Sequence, residues 1–185
     1  MIELELLKNE VSVCTKCPEL VEGRIQTVFG EGPLNPDVMF CGESPGKTEA
    51  EQGKPFVGQA GCLLSNIISA CGWKREEVYI CNCIRCRPPK NRNPLQSELK
   101  NCYPFLAKQV SLVNPKFIVL LGSVASTYLL GINITAARGR WHTCFDRPTI
   151  ATYHPAFLLR QGGEDSVKYK KEVWQDMKML LAKLK

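Results

Sequence analysis

The chain has 185 residues, 44% of them hydrophobic, and a formal charge of +6 from 24 Lys and Arg against 18 Asp and Glu. This length can bury a substantial core, so we expect residues 1–185 to form one domain. The first residues are charged and amphipathic, unlike a signal peptide, and no stretch approaches the roughly 18 apolar residues of a membrane-spanning helix. These features exclude a membrane protein and predict a monomeric cytoplasmic protein of a bacterial or archaeal cell.

Four cysteines form the first pattern along the chain. Cys14 and Cys17 lie in CTKCP, while Cys86 and Cys102 bracket a basic segment. Thiolates suit zinc or an iron-sulfur cluster, and C-x-x-C spacing lets two sulfurs reach one centre. We interpret these four as ligands of one metal centre, with a redox dithiol or ordinary buried cysteines as the alternative. The cysteines interpreted as packing residues are Cys41, Cys62, Cys71, Cys81, Cys83 and Cys144.

Short apolar runs rich in β-branched or aromatic residues predict four strands, each followed by a turn signal or a polar residue. The predicted strands are 37–41, 78–82, 117–121 and 149–153. Segments with helical periodicity are 58–70, 94–110, 123–130 and 166–185. Because strands and helices alternate, the pattern predicts an α/β/α sandwich with a mainly parallel sheet between helices.

Polar residues follow the predicted strands at their carboxyl ends, where ligands bind in open parallel sheets. Glu43 follows the first strand in the loop GESPG, which lacks the spacing of known phosphate-binding loops. Asn82 ends the second strand, and its amide offers a donor and an acceptor that suit the edge of a base. His154 follows the fourth strand and could stabilise an oxyanion in its neutral or charged form. Each residue also has an alternative interpretation. The GESPG loop could be a simple turn, Asn82 could hydrogen-bond a loop, and His154 could be a packed histidine.

Two segments have the composition of nucleic-acid contacts. The basic segment near Cys86 could bind phosphates. Its cations are Arg85, Arg87, Lys90 and Arg92. The second segment follows His154, where we expect exposed apolar side chains beside a cation, a combination that can wedge into a stacked duplex. Its residues are Phe157, Leu158, Leu159 and Arg160.

Four motifs together resemble the family 4 uracil-DNA glycosylases, the iron-sulfur branch of the uracil-DNA glycosylase superfamily. They are GESPGKTE, KPFVGQAG, VYICNCIRCRPPKNRNP and TYHPAFLLR. The resemblance runs nearly end to end. It implies a three-layer fold with a four-stranded parallel sheet, removal of uracil from single- or double-stranded DNA, and a structural [4Fe-4S] cluster. The cluster ligands that it implies are Cys14, Cys17, Cys86 and Cys102.

The same resemblance implies roles for the residues of the pocket. Gly42 and Glu43 would begin the loop that holds the catalytic water. His154 would stabilise negative charge on O2 of the departing uracil. Phe56 matches the ring on which the flipped base stacks, and Asn82 matches the amide that reads the uracil edge.

Glu49 matches the acidic residue near C5 of uracil, which would exclude the methyl group of thymine. Ser44 stands where the family commonly has alanine, so which residue orients the water stays open. For the same reason, the sequence leaves open whether the protein also accepts hypoxanthine or xanthine. The resemblance assigns DNA contacts to Leu158, Leu159 and Arg160, and we add Arg87, Lys90 and Arg92. Two competing interpretations remain. The metal centre could hold zinc instead of iron, or the protein could be a non-catalytic DNA-binding module stabilised by a metal.

Overall fold

The computed structural model describes residues 2–184 and contains a five-stranded sheet. Its strands are β1 (Val38–Gly42), β2 (Tyr79–Asn82), β3 (Phe117–Leu121), β4 (His142–Cys144) and β5 (Arg147–Thr152). The strand order is β2-β1-β3-β5-β4, and the first four strands in this order pair in parallel. Every residue of β1 and β2 is buried, which explains why both strands are continuous apolar runs.

The sheet is mainly parallel, as predicted, but it has one strand more than the four that the resemblance implies. β4 is a three-residue edge strand that pairs antiparallel with β5. Phe145 and Asp146 connect the two strands in a tight turn, with φ angles of 51° and 57°. Two positive φ angles are typical of a hairpin turn that usually carries Asn and Gly, so the sequence gives little sign of it.

Helices occupy the connections between the parallel strands and both ends of the chain. They are α1 (Ile2–Ser12), α2 (Pro18–Glu22), α3 (Lys47–Gln52), α4 (Gln59–Ala70), α5 (Gln96–Val113), α6 (Ser123–Leu130), α7 (Ile134–Ala137), α8 (Pro155–Leu159) and α9 (Gly163–Leu184). Short 3-10 turns lie at Arg75–Glu77 and Pro89–Asn91. The four predicted helices are present, with ends displaced by up to three residues. None of the helices within residues 2–184 has the length and apolar character needed to span a bilayer.

The layers follow from the handedness of the connections. A right-handed crossover from β1 to β2 places α3 and α4 on one face of the sheet, whereas crossovers in the opposite direction place α5 and α6 on the other. α8 packs against α4, and α9 packs against β5 and α8. A small second core of Leu7, Val11, Phe29 and Phe105 joins α1 to α5, close to the predicted cysteine centre. The predicted α/β/α sandwich is therefore confirmed.

Candidate active site

The carboxyl ends of the parallel strands open onto a cleft of about 740 Å³. The loops after β1, β2, β3 and β5 form its walls, as expected for an open parallel sheet. The predicted residues that line it are Glu43, Ser44, Glu49, Phe56, Asn82, His154 and Arg160. Residues that come from five separate segments of the chain thus meet at one edge of the sheet.

Asn82 ends β2 and is 1% exposed. Its Oδ1 atom is buried and has no hydrogen-bond partner within residues 2–184. Gly42, its register partner on β1, makes the close approach possible. A Cβ atom at position 42 would lie 2.5 Å from Asn82 Oδ1 and 2.5 Å from Cζ of Phe56. An unpaired buried polar group costs about 1–3 kcal/mol, which a ligand N–H donating to Oδ1 would recover.

Glu49 holds the loop that carries Phe56. Its Oε1 atom accepts hydrogen bonds from the backbone N–H groups of Val57 at 2.9 Å and Gly58 at 2.8 Å. Oε2 accepts from the N–H of Gly46 at 3.2 Å. The carboxylate therefore ties the loop after β1 to the loop before α4. Phe56 has a φ of 50°, and such strain persists only where its surroundings hold it, as these bonds do.

His154 caps the amino terminus of α8. Its Nδ1 atom accepts a hydrogen bond from the N–H of Ala156 at 3.1 Å, so in the neutral ring Nε2 carries the proton. Burial, assisted by the positive charge of Arg160 and opposed by Glu49, lowers the pKa of His154 to about 4. The ring lies 5.5 Å from that of Phe56, centroid to centroid. The neutral ring of His154 thus offers a donor beside the ring of Phe56, and neutral is one of the two forms that the sequence left open.

Glu43 and Ser44 line the cleft directly after β1. Burial raises the pKa of the Glu43 carboxyl group, and the charge of Arg160 opposes this shift. Arg160 is exposed and lies at the end of α8. A carboxylate with a raised pKa is a better proton acceptor than a free one, so Glu43 is suited to take a proton from water.

The four predicted metal ligands line a second, separate cavity. Its thiols are those of Cys14, Cys17, Cys86 and Cys102, and its apolar walls include Leu20, Ile84 and Phe105. Nδ2 of Asn101 donates to Sγ of Cys17 at 3.5 Å, and Nη1 of Arg24 donates to Sγ of Cys86 at 3.8 Å. Within residues 2–184, no three His, Cys, Asp or Glu side chains form a ready-made single-ion site. The four thiols reach this cavity from three segments of the chain: the stretch between α1 and α2, the stretch after β2, and α5.

The basic segment differs from the prediction in two of its cations. Arg85 is buried, 1% exposed, and faces the protein interior. Arg92 makes a bidentate contact with the Glu98 carboxylate, at 2.9 and 2.7 Å. Both arginines are therefore engaged within the fold. Arg87 is half-buried and Lys90 is exposed, so these two residues are the cations that the segment can present to phosphates.

Two further expectations about exposure were wrong. Leu158 is only 3% exposed and packs in the main core, because α8 turns it inward. Leu159, its neighbour, is 49% exposed and is the residue that can reach a partner. Cys62, which the sequence placed among the packing cysteines, is exposed on α4.

Sequence reasoning missed Tyr153 and Tyr169, which form an aromatic wall of the cleft together with Phe157. The ring centroids of the three residues lie 4.9 to 5.1 Å apart. Phe157 was expected to be exposed, but these contacts leave it half-buried. Tyr169 belongs to VKYKK, which has the composition of a solvated helix face. Its aromatic ring within a basic run was the available signal.

Comparison with known proteins identifies the family. The sequence model of the uracil DNA glycosylase superfamily matches residues 29–178. The chain is 41% identical over 163 residues to the Type-4 uracil-DNA glycosylase of Thermotoga maritima, which covers 85% of this chain and 83% of that protein. Identity to the Type-4 uracil-DNA glycosylase of Sulfurisphaera tokodaii is 40% over 170 residues, covering 86% and 77%. The corresponding values for Saccharolobus solfataricus are 39%, 170 residues, 86% and 78%. Together with the cleft at the strand ends, these matches show that the chain belongs to the type-4 family of uracil-DNA glycosylases.

Proposed function

We propose that this protein excises uracil from DNA by hydrolysing its N-glycosidic bond, leaving an abasic site. The unpaired Oδ1 of buried Asn82, beside Phe56 and His154, carries this proposal. Uracil presents one N–H donor and a neighbouring carbonyl acceptor, which the Asn82 amide complements with Oδ1 and Nδ2. The Phe56 ring supplies a stacking surface. The Nε2–H group of His154 supplies a donor for the carbonyl O2.

The reaction begins with extrusion of the base, which costs a few kcal/mol that pocket contacts must offset. The bond between C1′ and N1 then breaks, and its electron pair leaves with uracil, so negative charge develops on O2. His154 donates a hydrogen bond to O2 and keeps its proton. A water oxygen adds to the sugar cation at C1′, and Glu43 accepts the proton that water releases. Ser44 lines the cleft beside Glu43, and its hydroxyl group would hold this water.

Glu49 is proposed to exclude thymine. Three backbone N–H donors fix its carboxylate, so it cannot turn aside to admit a methyl group. Uracil carries hydrogen at C5, whereas thymine carries a methyl group. A rigid carboxylate beside C5 would therefore reject thymine by steric contact and by burial of an apolar group against charge.

A substrate panel tests the proposed function. Duplex and single-stranded oligonucleotides carrying uracil, hypoxanthine, xanthine or thymine are incubated with the protein, and abasic sites are detected by alkaline cleavage. We expect cleavage at uracil and none at thymine. Cleavage at hypoxanthine or xanthine would extend the specificity, with Ser44 as the residue to examine. Binding of uracil-DNA without abasic sites would contradict the proposal and favour a non-catalytic DNA-binding module.

We further propose that the four cysteines hold a structural [4Fe-4S] cluster. Four thiolates are a complete ligand set for such a cluster. Two side-chain N–H donors reach the sulfurs, and apolar walls limit access of water. When bound, the cluster would link the segment between α1 and α2 to the segment after β2 and to α5. The catalytic steps above need no electron transfer, so its contribution is to hold these segments together.

Metal analysis tests the cluster. Protein purified without oxygen is expected to be brown and to contain iron and acid-labile sulfide in equal amounts. Replacement of Cys102 with serine is expected to remove most of the iron, whereas Cys62→Ser, at an exposed cysteine on α4, should leave it unchanged. Colourless protein with one zinc per chain would contradict the cluster and support a zinc site instead.

Leu159 and Leu158 are expected to respond differently to replacement with alanine. Leu159 is half-exposed, so Leu159→Ala should leave stability unchanged but lower activity on duplex DNA by about tenfold, with a smaller loss on single strands. Leu158 is buried, so Leu158→Ala should instead lower the free energy of unfolding by about 2–5 kcal/mol. Unfolding curves and rates on both substrates distinguish the two effects. Equal rates for wild type and Leu159→Ala on duplex DNA would remove Leu159 from base extrusion.

A further inference from the structure

Arg85 is a fully buried arginine whose bonding partners are all neutral. Among residues 2–184, Arg85 has the largest side chain that is fully buried. Within residues 2–184, its Nη1 donates to the carbonyl oxygen of Asn82, its Nη2 donates to Oε1 of Gln109 at 2.6 Å, and its Nε has no partner. The ring of Phe29 lies 6.0 Å from its guanidinium carbon. A buried charge without a counter-charge costs several kcal/mol, so this cation requires an anionic partner that the side chains around it do not supply.

The cavity of the four thiols supplies the place for that partner. Arg85 lines the cavity together with two other cations, Lys16 and Arg24, and one carboxylate, Glu98. Glu98 is already bound by both terminal nitrogens of Arg92. The cavity wall therefore carries uncompensated positive charge. A metal centre with four thiolate ligands is anionic and would balance it.

The guanidinium of Arg85 also contacts the residue that we propose reads the base. Arg85 donates to the backbone carbonyl of Asn82. The side-chain Oδ1 of the same residue is buried and has no hydrogen-bond partner within residues 2–184. Gln109, the second acceptor, is itself held by Nε2 hydrogen bonds to the carbonyl of Phe29 and the hydroxyl of Tyr79, both at 2.9 Å. Arg85 is thus fixed by its surroundings and in turn fixes the backbone of Asn82.

We propose that Arg85 is a positioning residue that joins the metal centre to base recognition. Its charge is balanced by the anionic cluster on one side, and its guanidinium holds the Asn82 backbone, and with it the Asn82 amide, on the other. The electrostatic half of this proposal is the charge balance between Arg85 and the metal centre, and it does not depend on what the cleft binds. The half that concerns Asn82 rests on the proposed function.

The charge of Arg85 is tested through the reduction potential of the cluster in the intact holoprotein, purified without oxygen. A nearby cation favours the reduced, more negative cluster, so Arg85→Gln should lower the potential. We expect at least a tenfold change in the reduction equilibrium, which is 59 mV for a one-electron couple. Arg85→Lys keeps the charge and should restore the potential. Arg147→Gln removes an arginine from the amino-terminal end of β5 and is the matched control, with an unchanged potential.

A second variant measures the same charge without altering Arg85. Gln109→Glu would place a carboxylate against Nη2 of Arg85 and neutralise it in place. It should lower the potential in the same direction as Arg85→Gln. If Arg85→Gln does not fold with its cluster, the potential of Gln109→Glu is measured instead. Potentials unchanged from wild type in the variant that folds would overturn the electrostatic half.

Positioning of Asn82 is tested by a double-mutant cycle on binding of free uracil, measured by calorimetry. Arg85→Gln is expected to weaken binding about tenfold in the wild-type background and to have no further effect in the Asn82→Ala background. Arg85→Lys should bind within about threefold of wild type, since an ammonium group can donate to the same carbonyl. Equal losses in both backgrounds would overturn the link to Asn82. Wild-type protein that neither binds uracil nor cleaves uracil-DNA would refute the proposed function, while the potentials would still test the charge.

Discussion

Replacement of His154 with alanine is expected to slow uracil excision by about 10²–10³-fold, the usual cost of removing one donor to a developing oxyanion. The Nε2–H group is the donor, because Nδ1 is occupied by the N–H of Ala156. Since uracil gains its negative charge only as the bond breaks, the loss should fall on the single-turnover rate. Affinity for uracil-DNA should change by no more than about threefold. The fold should persist, with about 1 kcal/mol lost because His154 also caps α8.

His142→Ala is the matched control for this variant. His142 bonds the carbonyl of Ala137 from the edge strand β4, away from the cleft, and its loss should leave the rate unchanged. His154→Gln offers an amide donor on a longer side chain and should recover part of the lost rate. An excision rate for His154→Ala within threefold of wild type would exclude the histidine from the chemical step.

The pH dependence follows from the lowered pKa of His154. Because that pKa is about 4 in the folded protein, the ring stays neutral as the pH falls through 6.5, and the rate should show no His154-dependent decline there. The unfolded chain, with an ordinary histidine pKa of about 6.5, binds a proton first. Stability should therefore fall as the pH drops from about 6.5 to 4, and His154→Ala should lack this part of the decline. A rate limb near pH 6.5 that disappears in His154→Gln would show that the ring works as a cation.

The sequence predicted the sheet and the position of the site because both depend on local patterns. Strands buried on both faces are continuous apolar runs, which made β1, β2, β3 and β5 recognisable. The residues that follow those strands then had to meet at one edge. The sequence did not predict β4, because this strand has only three residues and because Phe145 and Asp146 are not the residues usually found in a tight hairpin turn.

Contacts between distant side chains could not be predicted in the same way. The pairing of Arg92 with Glu98 and the burial of Arg85 depend on how α5 packs beside the segment after β2. The anchoring of the Phe56 loop by Glu49 likewise joins two loops through backbone N–H groups, which leave no signature in the side-chain pattern. Composition alone made both arginines look like surface cations.

Replacement of Asn82 with alanine is expected to lower kcat/KM for uracil-DNA by about 10³-fold or more. A site built to hydrogen-bond a substrate loses about 10⁴–10⁵-fold when those bonds cannot form, and removal of one amide should approach that range. Stability should stay within about 1 kcal/mol of wild type, because the variant also removes a buried oxygen that has no partner among residues 2–184. The chemistry at His154 remains in place, so the loss should appear in binding as well as in rate.

Thermal unfolding in the presence of free uracil provides a readout of Asn82 that does not depend on catalysis. A ligand that binds only the folded state raises the Tm by an amount that grows with its affinity, so uracil should raise the Tm of wild type clearly more than that of Asn82→Ala. Asn93→Ala removes an exposed amide at the rim of the same cleft and should behave like wild type in both assays. If uracil stabilised Asn82→Ala as much as wild type, the base would have to be read by another group, and Oδ1 of Asn82 would have no role in recognition.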